Sequence, residues 1–154
     1  MAYAAVGDAR ESDAAIAHAW REVDRGLDDA QDPIWLHFVT PAEIHSIAAQ
    51  AKSYLGQHDK AATTYGESIG AHNKPRDDAS YRAYYAASLA HLGDTHTAFV
   101  EGLSALSILE GPVTSPRLVA ELLPVRSAAE TSTAAESDEF RVRFDAVRAG
   151  AART

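Results

Sequence analysis

Seven histidines, at His18, His37, His45, His58, His72, His91 and His96, are the side chains best suited here to hold a metal ion or move a proton near neutral pH. Their spacing argues against both uses. No two stand four apart, as a helical His-x-x-x-His site requires, and no Glu-x-x-His pair organises a carboxylate site. His91 and His96 straddle a turn, which separates them for any shared ion. The chain has no cysteine, which excludes disulfides, thiolate nucleophiles and cysteine-bound zinc or iron–sulfur centres. It has no Gly-x-Ser-x-Gly elbow, phosphate loop or dinucleotide glycine pattern. "DRGLDDAQD" is acidic but lacks calcium-loop spacing, and reads as a solvated helix end and loop. The expectation is no catalytic residue, no metal, no cofactor and no enzymatic activity.

Composition points the same way. A chain of 154 residues has the length of one domain. A net charge of −8 argues against direct nucleic-acid binding, which needs a clustered basic footprint. No apolar run approaches the ~18 residues of a membrane span, and "MAYAAVGDARESD" lacks the basic start and apolar core of a secretory leader. The cytoplasm is the expected compartment.

The elements read as helices throughout. "MAYAAVG" is a helix tail broken at Gly7, too abrupt to be a helix start. Ser12 or Asp13 caps a helix to about Asp29, with Ala15, Ile16, Ala19, Trp20, Val23 and Leu27 on one face. "TPAE" is the clearest start signal: Thr40 as N-cap, Pro41 at the first helical position and Glu43 closing a capping box. Ile44, Ile47, Ala48, Ala51 and Leu55 then follow at helical spacing up to Gly56. The next helix, about His58 to Gly70, buries Ala61, Ala62, Tyr65 and Ile69, with Gly66 a weak point. "AHNKPRDD" reads as a loop, and Asp77 or Asp78 opens a helix with Tyr81, Tyr85, Ser88, Leu89 and Leu92 facing inward. Asp94 or Thr95 caps another, carrying Ala98, Phe99, Leu103, Leu106 and Leu109. Ser115-Pro116 starts a helix to about Glu130, "TSTAAESD" is a polar linker, and a last helix uses Phe140, Phe144 and Val147. Sustained alternation of β-branched residues is missing, so the fold class is all-α.

Two stretches echo each other at an offset of 37. Ile44 meets Tyr81, Ala49 meets Ala86, Leu55-Gly56 meets Leu92-Gly93, Ala61 meets Ala98, and Ile69 meets Leu106. Each is helix, glycine turn, helix, with a small residue five positions after the glycine. This resembles the tetratricopeptide repeat. Ala49, Gly56, Ala61 and Tyr65 match its pattern in the first copy; Ala86, Gly93 and Ala98 match in the second, where Gly102 replaces the aromatic. The repeat's early large aromatic and closing proline are missing. The resemblance implies a superhelix of about seven or eight helices in a single domain over 1–154: a partial repeat at 1–30, repeats at 40–72 and 77–110, and capping helices at 115–150. Over most of the chain, Trp35, Arg76, Leu92-Gly93-Asp94 and Ser115-Pro116-Arg117 resemble the C-terminal region of actinobacterial Xre-type helix-turn-helix regulators. That implies the sensory or interaction half of a transcriptional regulator, without the DNA-binding helix-turn-helix, which is not found in these residues.

By repeat register, the groove-facing positions are Glu43, Ser46, Gln50 and Tyr54 in the first repeat, and Ser80, Ala83, Tyr84, Ala87 and His91 in the second. The lysine–asparagine clamp for a terminal carboxylate does not map, since Ser46 and Ala83 stand where its basic residue would be. A peptide or protein partner is the leading expectation, with tyrosine supplying contact area and Gln50 bonding a peptide backbone. The alternatives are a homo-oligomerisation module, with a homodimer as its product, and a small-molecule binder. Tyr54 and Tyr84 have a second reading as core residues wedged between repeats.

Overall fold

A computed structural model describes residues 1–26, 40–69, 74–111, 113 and 115–151. Leu27, Trp35 and Gly70, on which expectations above rest, lie outside the described residues. Among the described residues the regular backbone is helical and contains no strand. The order is α1 (Ala2–Ala5), α2 (Ala9–Asp24), α3 (Pro41–Tyr54), α4 (His58–Ser68), α5 (Pro75–Leu92), α6 (Thr95–Leu109), α7 (Pro116–Glu121), α8 (Leu123–Thr131) and α9 (Ala135–Ala151). The chain divides into two compact units, Met1–Thr64 and Tyr65–Thr154, and the division falls inside α4.

Helix starts follow the capping chemistry. The Thr40 hydroxyl accepts from the Glu43 amide at 3.3 Å, and Pro41 occupies the first helical position, where its missing N–H costs nothing. Asp94 caps α6 through the Thr97 amide at 3.2 Å, and Ser115 caps α7 through the Leu118 amide. Two starts lie earlier than expected. Asp8, rather than Ser12 or Asp13, caps α2 by accepting from the Glu11 amide at 3.1 Å, and Ser12 is buried inside the helix. Likewise α5 begins at Pro75, not at Asp77 or Asp78, so "PRDD" is its first turn and not loop. Both carboxylates there favour the positive end of the helix dipole.

The echoed turns share one geometry. Gly56 (φ +72°) and Gly93 (φ +80°) take the left-handed conformation that ends a helix. In each, the following amide reaches five residues back: Gln57 donates to the Lys52 carbonyl at 2.9 Å, and Asp94 to Leu89 at 3.0 Å. A third turn of the same kind lies at Gly7 (φ +81°), where Asp8 donates to Tyr3 at 2.9 Å. The small residue five positions after each glycine, Ser12, Ala61 or Ala98, is at most 3% exposed. Gly93→Val is therefore expected to cost about 1 kcal/mol or more, because a β-branched residue is strained at positive φ; unchanged thermal melting of the variant would refute the assignment.

In each unit one helix packs on both members of the pair before it. In the first unit α3 packs on both α1 and α2; in the second, α7 and α8 both pack on α5, and α8 also packs on α6. Contacts between α6 and α9 advance in the same direction along both helices, from His96–Glu136 (4.0 Å) to Arg143 with Ser107 (2.8 Å) and Glu110 (2.6 Å). The two helices therefore run parallel. The segment expected to be one helix from Ser115 to Glu130 is broken at Leu122. Pro124 has no N–H to donate and its ring crowds the carbonyl four residues back, so α7 ends and α8 restarts. The linker shrinks to 132–134, because "AESD" already belongs to α9. Phe140 and Phe144 of α9 are fully buried, as expected, and Val147 is half-buried.

Candidate functional site

The histidines are dispersed. His18 lies 3.9 Å from Glu22 on the exposed side of α2, His45 packs edge-on against the Trp20 ring at 4.7 Å, and His91 is exposed at the end of α5. His37 and His72 lie outside the described residues. Among the described residues no group of three or more histidine, aspartate or glutamate side chains is placed to hold a metal ion.

The groove residues of the first repeat share one face of α3. Successive helical residues advance 100°, so Glu43, Ser46, Gln50 and Tyr54 fall within one narrow arc. Glu43 is exposed, Ser46 and Gln50 are half-exposed, and Tyr54 is 55% exposed. Ile47 joins them at 43% exposure, although the sequence pattern placed it with Ile44 in the core. At 100° per residue Ile47 lies 40° from Glu43 and 60° from Ile44, between the open arc and Ile44, which is only 3% exposed. The helix buries Ile44, Ala48, Ala49 and Ala51 on its flanks. Tyr54 is thus a surface side chain and not a wedge.

The α5 set belongs to the other unit and is built differently. Ser80 turns its hydroxyl back to the Arg76 carbonyl at 2.9 Å. Ala83 and Ala87 are buried, and Tyr84 is 7% exposed. The Tyr84 ring stacks on Tyr65 with centroids 5.6 Å apart, and Tyr65 meets Tyr81 edge-on at 5.9 Å. Arg117 of α7 donates to the Tyr84 hydroxyl, and its guanidinium lies 5.8 Å from the ring centroid. Tyr84 is a core residue, which corrects its placement on a partner-facing surface. The physical cause is α7 and α8, which pack on α5. A Pro-broken third helix pair was not legible as a cover for that face.

Several arginines of the second unit are tied to its own carboxylates. Arg82 joins Asp78 (3.0 Å) to Glu101 (2.6 Å) across α5 and α6. Arg126 bonds both oxygens of Asp145 at 3.1 Å, and Arg143 holds both oxygens of Glu110 at 2.8 and 2.6 Å. These forks hold Glu110 and Asp145 below the usual carboxylate range. Glu121 departs in the other direction: burial raises its pKa, and Arg117 offsets only part of that. An acid whose folded pKa is raised prefers its neutral form in the fold, so its ionisation destabilises the fold as pH rises through the carboxylate range. Glu121→Gln is expected to raise the melting temperature near neutral pH, with the difference closing below about pH 4; a difference independent of pH would contradict this.

Two adjoining clefts, of about 330 and 230 Å³, flank α7 and α9 and share Val119 and Ala151. Their walls are largely apolar, including Leu109, Leu123, Phe144 and Val147. Glu110, the carboxylate on the first cleft, is already held by Arg143. No protein-family model matches this chain, and neither does any curated protein or solved structure.

Proposed function

We propose that this chain is a protein- or peptide-binding regulatory module that receives its partner on the exposed face of α3. The carrying observation is the stripe of Glu43, Ser46, Ile47, Gln50 and Tyr54, which leaves two large apolar side chains in solvent around a central amide. Tyrosine at such a position supplies rigid contact area, and a glutamine between anchors can bond a partner's polar groups. Three turns of one geometry, and in each unit a helix that packs on both members of the pair before it, support a tetratricopeptide-like superhelix as the scaffold. Transcription control is its setting in this proposal, on the residue resemblance alone. In a pull-down with the full chain as bait, Gln50→Ala and Tyr54→Ala are expected to lower partner recovery several-fold while melting stays within ~0.5 kcal/mol of wild type. Equal recovery from wild type and both variants would remove α3 as the contact.

A further inference from the structure

Resting on that reading, we infer that the occupant of the α3 face is a basic amphipathic helix of a partner protein. Spacing points to a helix. Ile47 and Tyr54 are seven residues apart, two turns, which sets their anchoring positions about 10.5 Å from each other along α3. A second helix repeats that distance with apolar residues at i and i+7. An extended strand does not, because its same-side residues recur at about 6.6 Å and 13 Å. Gln50, between the two anchors, offers both a donor and an acceptor to polar side chains at the edge of that contact.

Charge points to a basic sequence. Glu43 lies one turn before Ile47 on the same face, exposed, and makes no ion pair among the described residues. The first 64 residues hold five Lys and Arg against ten Asp and Glu, a balance of −5 within the whole-chain −8. In the second unit Arg82, Arg126 and Arg143 are tied to internal carboxylates. The long-range field therefore attracts a cationic partner, and Glu43 supplies a local contact for a lysine or arginine one turn beyond the apolar pair.

The test uses the full chain and two fluorescently labelled helical peptides, read by anisotropy. Each carries two leucines seven residues apart; one has a lysine four residues outside each leucine, the other glutamates in those places. The lysine peptide is expected to bind more tightly, with affinity falling as salt rises. Glu43→Lys should weaken the lysine peptide about threefold and strengthen the glutamate peptide by a similar factor; Tyr54→Ala should weaken the lysine peptide about tenfold. Equal, Tyr54-dependent binding of both peptides rejects the basic occupant and leaves the α3 reading standing. No binding of either at about 1 mM, with pull-down recovery still dependent on Tyr54, rejects the helical occupant alone. Indifference of both assays to Tyr54 rejects the inference together with the reading beneath it.

Discussion

Phe140→Ala is expected to destabilise the second unit by about 3–5 kcal/mol, lowering its melting temperature by roughly 12 °C or more. The ring is fully buried, with centroids 6.1 Å from Phe99 and 5.9 Å from Phe144. It also occupies the space beside Gly102 of α6, whose missing side chain leaves room for it. Truncation would open a cavity where two parallel helices meet, and neither can close it without abandoning its ion pairs at the far end. Since a whole domain is stable by only about 5–15 kcal/mol, the loss is a large fraction of the total. Calorimetry provides the check, and a cost below about 1 kcal/mol would mean that α9 does not complete this core.

Gly102→Val probes the same contact from the other side. A Cβ at position 102 would stand 2.5 Å from Phe140 Cε2 and 3.1 Å from its Cδ2, closer than packed carbon atoms approach. Helix propensity favours the change by a few tenths of a kcal/mol, since glycine is the weaker helix former. Overpacking opposes it by about 1–3 kcal/mol, because the fully buried ring has nowhere to withdraw. The net expectation is destabilisation, partly relieved in the double variant with Phe140→Leu, whose smaller side chain leaves space for the added methyls. Strict additivity of the two single changes would show that the residues do not interact.

The same geometry bears on the aromatic that the second echoed stretch lacks. In the first echo Tyr65 supplies the ring four residues after Ala61, and it is fully buried against Tyr81 and Tyr84. In the second, Gly102 stands at that place, and Phe140 from the next helix pair is packed against it. A ring fills both places, Tyr65 from α4 itself and Phe140 from α9 beside Gly102 of α6. Reading along the chain finds the gap at Gly102 but not the residue that fills it.

Local chemistry was readable from the chain. Helix periodicity, the Thr40-Pro41 and Ser115-Pro116 starts, and the glycine turns at 56 and 93 depend on residues within a turn or two of each other, so their order along the chain carries the information. Asp8 followed three residues later by Glu11, and Pro124 inside a helical stretch, are local signals of the same kind. What only the tertiary structure decided is which side of each helix meets solvent. Glu43, Ser46, Gln50 and Tyr54 share an open face on α3, while Tyr84, assigned a similar role on α5, lies under Arg117. An amphipathic period gives the angle between side chains, not which neighbour covers them. That depends on contacts such as Arg117 with Tyr84, 33 residues apart, and Phe140 against Gly102, which no local pattern encodes.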